Sequence, residues 1–596
     1  MFRVILKAFL LMVLAAGWTS VSHAQQTTSA LTGEWVGNVE SPPSASLSNG
    51  RSEFAHLSLT EDAGEIRFPL ANFKQKLSLV RREGSRVRFE LSSLKLVMTG
   101  TITGDEIQGD AEVPGTKARF HLVRSAKVQQ EILASYVGVY RYRNGDYFVI
   151  DRFDYMPDVL HVIDVKSGEA RAIFPRSETQ FAGGPALYVA SPTQLTINFR
   201  DGGAYVGAGL VPARTRAARA ATRAAPTKQT GRESAAFATR IPIRQEEVTF
   251  KNGDVTLAGT LVTMASEQWT VGGEQQGNQK AGPKTQRPRL KSRELATKVK
   301  HPALVFIHGG GPAVRELFWG LGYLYVARGF VVLSYDKRGV GKSTGNWRAA
   351  SFEDLADDAV AAAKFLQSRT DINSKQIGFW GLSQGGWIAP LAASRFPDAA
   401  FAIALSGGGL SPAETELFDT EHELTQAGYT ADEVKAALTF QRLKNDIIAS
   451  PGSNEKWEQY AKLRLTAKDQ KWFRHPGIDV FGPEKRDDGF WAYMRKFYFY
   501  DPSTTLRSMK SPLLAIFGEL DTPEGVKANV SAIKQTMEQA GRRDYLVKVY
   551  PNARHNLMEV PRDNPTEYAR LRRFPPGLFE TMVDWTMSQL SRRPRP

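Results

Sequence analysis

Gly381-Leu382-Ser383-Gln384-Gly385 follows the apolar run Ile377-Gly378-Phe379-Trp380 and precedes the helix-like Gly386-Trp387-Ile388-Ala389-Pro390-Leu391-Ala392-Ala393. A serine between glycines at a strand-to-helix junction reads as a nucleophile elbow. In so tight a turn, side chains two before and two after the serine would collide with neighbouring backbone. Glycine at Gly381 and Gly385 removes that collision. The Ser383 hydroxyl is then expected at the end of a strand and the start of a helix, where the helix dipole favours a developing negative charge. The five-residue pattern also occurs by chance in loops, so its reading rests on three further stretches and on their order.

Upstream, the apolar, β-branched-rich run Ala303-Leu304-Val305-Phe306-Ile307 reads as a buried strand and leads into His308-Gly309-Gly310-Gly311-Pro312. Glycines there let backbone N–H groups approach a substrate oxygen closely. The pattern predicts an oxyanion loop, with one donor from Gly310 or Gly311 and the other from Gln384. An ordinary glycine turn is the competing reading, and the elbow downstream disfavours it. After the elbow, Leu513-Leu514-Ala515-Ile516-Phe517-Gly518 ends in Glu519-Leu520-Asp521. Asp521 is the expected triad acid; Glu519 and Glu524 compete but read as solvated loop carboxylates. Three histidines follow Ser383. His422 lies in a polar helical stretch and His475 precedes a proline, whereas His555 follows the strand-like Tyr545-Leu546-Val547-Lys548-Val549. The order Ser383, Asp521, His555 is therefore the expected triad.

On these residues the segment 246–596 resembles the α/β-hydrolase superfamily, and most closely its bacterial serine esterase branch, which shares features with serine aminopeptidase-type hydrolases. A further match is Tyr335-Asp336-Lys337-Arg338-Gly339-Val340-Gly341-Lys342-Ser343. Its last three residues imitate a phosphate-binding loop, but Asp336 stands where that loop needs a small residue, so nucleotide binding is rejected. The resemblance implies an α/β fold with a mostly parallel sheet and a helical cap. It also implies hydrolysis through Ser383, Asp521 and His555 with no metal and no organic cofactor. Serine at the elbow disfavours the aspartate chemistry of haloalkane dehalogenases and epoxide hydrolases. A chain without cysteine disfavours dienelactone hydrolase chemistry.

The pattern of elements agrees. An antiparallel pair is expected around Asn252-Gly253-Asp254, followed by strands at 303–307, 330–335, 377–381, 401–406, 513–517 and 545–550 alternating with helices. Apolar strands with little alternation are buried on both faces, which predicts a parallel sheet covered by helices. Ser351 is expected to cap a helix beginning with Glu353 and Asp354. Between 411 and 500 the alternation stops and aromatic residues cluster, which predicts a helical cap. Most of its rings are expected in the cap's own core and a few at an acyl pocket.

Upstream, 30–125 reads as a small antiparallel sandwich or barrel and 131–210 as a second β-rich unit. Tracts 211–240 and 265–300 read as a basic linker and a disordered insertion, because neither has the apolar periodicity to offset its ordering entropy. Residues 1–24 carry Arg3 and Lys7, then Ala8 to Ala16, then Ser22-His23-Ala24, the pattern of a secretory signal peptide. The expectation is a bacterial exported protein, periplasmic or secreted, with no membrane span in the mature chain. The formal net charge of +15 sits largely in the two tracts, and no nucleic-acid motif accompanies it. A small-molecule ester is the expected partner, and no nucleic acid. Three functions stay in play: a carboxylic ester hydrolase first, a serine peptidase or aminopeptidase on the same triad second, a non-catalytic envelope binding protein third.

Overall fold

The computed structural model describes residues 31–40, 52–69, 73–153, 156–207, 236–265, 300–475, 482–560, 571 and 573–592. The expected signal peptide at 1–24, and the expected linkers over 211–235 and 266–299, lie outside the described residues.

The C-terminal half is built on one eight-stranded sheet. Its order is Ile243–Asn252, Val255–Met264, Val331–Tyr335, His301–Ile307, Ile372–Leu382, Ala399–Leu405, Leu513–Gly518, Tyr545–Tyr550. Ile243–Asn252 runs antiparallel to Val255–Met264, which in turn runs antiparallel to Val331–Tyr335. All later pairs are parallel. Successive side chains on a strand point to opposite faces, and here both faces are apolar. Leu304, Phe306, Trp380, Ile403, Leu405, Leu514 and Ile516 enter one core. Ala303, Val305, Ile307, Phe379, Ala402, Ala404, Ala515 and Phe517 enter the other. The second core is completed by helices Phe352–Gln367, Gln384–Arg395 and Pro523–Gln539. At the first of these, Ser351 Oγ accepts from Asp354 N at 3.1 Å while Asp354 Oδ2 accepts from Ser351 N at 2.8 Å.

The first core runs without a break into the N-terminal half. Eight antiparallel strands form a closed barrel from Gly138–Tyr142 to Ala236–Ile241, and the last strand pairs with the first. The basic linker expected over 211–240 is thus corrected at its end: residues 236–240 belong to the closing strand, their apolar Ala236, Phe237 and Ala238 contributing a barrel wall. The C-terminal unit, expected from 246, also starts earlier, with the strand at Ile243. Ahead of the barrel, nine antiparallel strands between Gly33 and Ser125 form a single continuous sheet around its own apolar cluster. Where a small sandwich or barrel was expected, the strands make one continuous nine-stranded half-barrel sheet.

The barrel is hydrogen-bonded to the C-terminal half at several points. Asp151 Oδ2 accepts from the backbone N–H of Gly320, at 2.8 Å, at the start of helix Trp319–Val326. The Leu187 N–H donates to the carbonyl of Leu571, and Phe574 N–H to that of Gly168, each at 2.7 Å.

Between strands Ala399–Leu405 and Leu513–Gly518 lie helices Pro412–Gln426, Ala431–Ala449, Asn454–Ala467 and Gly489–Arg495. Ser411 and Thr430 open the first two with reciprocal caps to Glu414 and Glu433. Tyr460, Trp472, Trp491 and Phe440 form the centre of this unit, with Trp457, Phe473, Phe490 and Tyr493 packed on it. Phe497 and Tyr498 face the cavity beneath it.

Candidate active site

Ser383 stands at the end of strand Ile372–Leu382 and caps helix Gln384–Arg395 with φ 57° and ψ −120°. A non-glycine residue held there stores strain on the order of 1–3 kcal/mol, which the surrounding packing must hold in place. The flanking glycines are required by geometry. A Cβ on Gly381 would lie 2.0 Å from the Gly385 carbonyl oxygen, and one on Gly385 would lie 2.5 Å from that of Ile307. The turn is fixed by Ser383 N–H donating to Leu405 O at 2.9 Å and Gly386 N–H to Ser383 O at 2.7 Å.

His555 follows strand Tyr545–Tyr550, and its Nδ1 lies 2.8 Å from Oδ2 of Asp521, which follows strand Leu513–Gly518. Ser406, at φ 53° beyond the neighbouring strand, donates its hydroxyl to the carbonyl of His555 at 2.8 Å and so holds the histidine loop. Partial desolvation works against the imidazolium, but the charge of Asp521 and its hydrogen bond outweigh it and raise the His555 pKa. Glu519 and Glu524 do not reach the imidazole: Glu519 Oε2 accepts from Asn552 N–H at 3.3 Å, and Glu524 pairs with Lys527 at 2.7 Å. Ser383, Asp521 and His555 all line one cavity of about 380 Å³ beneath the cap.

The glycine loop lies against the serine at Gly309, where a Cβ would stand 3.4 Å from Ser383 Cβ and 3.9 Å from its Oγ. Gly310 and Gly311 border open space, with Gly311 at φ 77°. What shapes this loop is Lys337, a buried residue for which the sequence motif suggested no role. Its ammonium donates to Gly309 O at 2.9 Å, to Gly311 O at 3.1 Å and to Gln384 Oε1 at 2.6 Å. One cation thereby ties the glycine loop to the residue after Ser383. Burial pushes the Lys337 pKa down to about 8. His308, at the loop's start, is pushed down to about 3 by burial, with the Lys337 charge acting in the same direction, so it stays neutral.

The rest of the Tyr335–Ser343 stretch is structural. Asp336 Oδ1 and Oδ2 accept from the backbone N–H groups of Arg315 and Lys342 at 3.0 and 2.8 Å. A Cβ on Gly341 would lie 2.4 Å from Asp336 Oδ2, so the carboxylate packs directly against this glycine. Arg338 makes two 2.7 Å bonds to the buried carboxylate of Asp358 on helix Phe352–Gln367. Among the described residues no three His, Asp or Glu side chains come together as metal ligands, and no helix is long and apolar enough to cross a membrane.

Residues 304–571 match the family model described as Alpha/beta hydrolase family. Among curated proteins, dipeptidyl peptidase 4 of Felis catus is 24% identical over 190 residues, which is 30% of this chain and 23% of that one. The bifunctional esterase/perhydrolase DCH of Acinetobacter calcoaceticus is 22% identical over 222 residues, 37% of this chain and 74% of that one. The chain thus spans under a quarter of the cat protein's length. Among solved structures, an alpha/beta hydrolase from Penicillium sp. sh18 covers 59% of this chain and 98% of its own at 17% identity and a TM-score of 0.33. A Pyrococcus furiosus esterase covers 59% and 91% at 15% identity and a TM-score of 0.30. With the sheet order, the serine turn and the family match together, the C-terminal part of this chain is an α/β-hydrolase domain.

Proposed function

We propose that this chain is a serine hydrolase that cleaves carboxylic esters through an acyl-enzyme on Ser383. The observation that carries the reading is the 2.8 Å His555–Asp521 hydrogen bond in the same cavity as a serine held at positive φ. His555 takes the Ser383 proton as the hydroxyl attacks the ester carbonyl, while Asp521 holds the imidazole tautomer and stabilises its charged form. The Gln384 N–H at the helix start and one N–H from Gly310 or Gly311 receive the oxyanion. The alcohol leaves with the proton from His555, and water repeats the cycle on the acyl-enzyme. Neither step requires a metal or an organic cofactor.

The apolar side of the cavity, including Trp387, Met494, Phe497 and Phe517, suits an acyl chain of limited length. Each buried CH₂ contributes roughly 0.8 kcal/mol until the pocket is full. With 4-nitrophenyl esters of graded length, kcat/KM is expected to rise over the first few carbons and then fall. Aminoacyl anilides assayed beside them are expected to turn over more slowly than the corresponding esters. Anilides outrunning every ester would make the chain a peptidase instead.

Lys337→Met keeps side-chain length and removes the cation that ties Gly309, Gly311 and Gln384 together. Loss of one oxyanion donor costs on the order of a hundred-fold or more in kcat. A loosened loop is expected to approach that loss, with KM nearly unchanged. Wild-type kcat in the folded variant would remove Lys337 from the account.

A further inference from the structure

The loop that carries His555 turns back on itself. Ala553 pairs with Glu559, Arg554 N–H donates to Met558 O at 3.1 Å, and Val560 N–H donates to Asn552 O at 3.0 Å. Its near arm is held from within the C-terminal half: Leu520 N–H, next to Asp521, donates to Ala553 O at 2.8 Å. Its far arm is held through a second segment. Glu559 N–H donates to Arg573 O at 2.9 Å, and Arg573 pairs in turn with Glu169 of the barrel. Four rungs, Ala553, Glu559, Arg573 and Glu169, run from the His555 loop to the turn that joins barrel strands Met156–Asp164 and Ala170–Pro175. That turn is fixed from inside. Asp164 Oδ1 accepts from Ser167 N–H at 2.8 Å and from Ser167 Oγ at 2.7 Å, and Glu169 N–H donates to Ser167 Oγ at 3.2 Å. Gly168, at φ 71°, comes so near Phe574 that its carbonyl accepts Phe574 N–H at 2.7 Å and a Cβ on it would lie 2.0 Å from Phe574 O. Leu187 N–H, also of the barrel, donates to Leu571 O at 2.7 Å. Leu557, Met558, Val560 and Leu571 are buried in the core that the barrel shares.

Resting on the reading of His555 as the general base, we infer that the barrel is a positioning element for the reaction: its turn at Gly168 and Glu169 sets the outer edge of the ladder whose inner edge carries His555. These two residues touch neither substrate nor reacting atoms. They act through Arg573, Phe574 and Glu559. Backbone groups in such a ladder have their partners only while its outer strand stays in place. A displacement of about 1 Å at a reacting group costs on the order of a hundred-fold in rate, so a small shift of the outer strand is enough to be read in turnover.

The barrel supplies its own control. Gly202, between strands Leu195–Arg200 and Gly203–Val206, holds φ 70°, and a Cβ on it would meet nothing within 4 Å. Gly168→Ala and Gly202→Ala therefore carry the same left-handed strain, and only the first collides with the C-terminal half. Turnover of 4-nitrophenyl butanoate by the full chain is measured per serine titrated with an alkyl fluorophosphonate. In Gly168→Ala, kcat is expected to fall about tenfold or more with KM within about twofold of wild type. In Gly202→Ala both are expected to stay within about twofold of wild type. Gly168→Asn is expected to fall with Gly168→Ala, because asparagine tolerates this φ but keeps the Cβ; it also carries the test if the alanine variant does not fold. Equal kcat in the Gly168 and Gly202 variants, or wild-type kcat in Gly168→Asn, overturns the inference while leaving ester hydrolysis standing. A second measurement does not depend on turnover. Amide hydrogen exchange of the peptide spanning 552–560 is expected to be about tenfold or more faster in the Gly168 variants than in Gly202→Ala. Unchanged exchange overturns the inference whether or not an ester is cleaved. Faster exchange in a chain that cleaves no ester supports the ladder and removes only the ester reading.

Discussion

Ser383→Ala is expected to lose on the order of a million-fold in kcat, the scale seen when a triad nucleophile is removed. The substitution deletes only a hydroxyl. Alanine suits the same φ of 57° no worse than serine does, and the turn is held by the backbone bonds to Leu405 and Gly386 rather than by the side chain. Thermal unfolding is therefore expected to stay close to wild type, so that lost activity reports on chemistry and not on folding. A folded Ser383→Ala protein with ester hydrolysis near wild type would remove the acyl-enzyme from the account.

Asp521→Asn comes next in size. An asparagine can present its NH₂ to Nδ1 and stabilise the wrong tautomer, which costs on the order of ten-thousand-fold in kcat. The loss should carry a pH signature. His555 must be neutral to accept the serine proton, and its pKa is raised by the Asp521 charge and hydrogen bond. In the wild type, kcat/KM should therefore climb with pH through a midpoint above the ordinary histidine value of about 6.5. In Asp521→Asn the residual activity should climb through a lower midpoint, since the group that favours the imidazolium is gone. Glu519→Gln serves as the control, because Glu519 only accepts from Asn552 N–H on the loop. If Glu519→Gln is the inactive variant and Asp521→Asn is not, the acid has been misassigned.

How much of this was written in the chain depends on the range over which each feature is determined. The parallel sheet was legible because strands such as His301–Ile307 are buried at every position and so lack alternation. The serine turn was legible because its steric demand is local: Gly381 meets Gly385 four residues on. The choice among acids was legible only as an order along the chain, and the hydrogen bond from His555 to Asp521 spans 34 residues. Three features were not legible. Strand Ala236–Ile241 follows a long Ala- and Arg-rich tract whose composition swamps a six-residue signal, and only pairing with Gly138–Tyr142 and Gly203–Val206 reveals it. Local strand patterns between Gly33 and Ser125 announced antiparallel pairing but not whether one sheet or two would result. Lys337 looked like one more residue of a glycine-rich motif, because two of its three acceptors are backbone carbonyls of Gly309 and Gly311, which carry no side-chain signal.

The central claim is that an acyl group passes through Ser383. Its most direct measurement is mass spectrometry of the full chain after brief reaction with an alkyl fluorophosphonate, followed by digestion and mapping of the adduct. The account predicts one equivalent of phosphonate on the peptide that contains Gly381-Leu382-Ser383-Gln384-Gly385, loss of ester hydrolysis in step with labelling, and no adduct in Ser383→Ala. Stoichiometric labelling of another residue, or ester hydrolysis that persists when Ser383 is fully labelled, would contradict it.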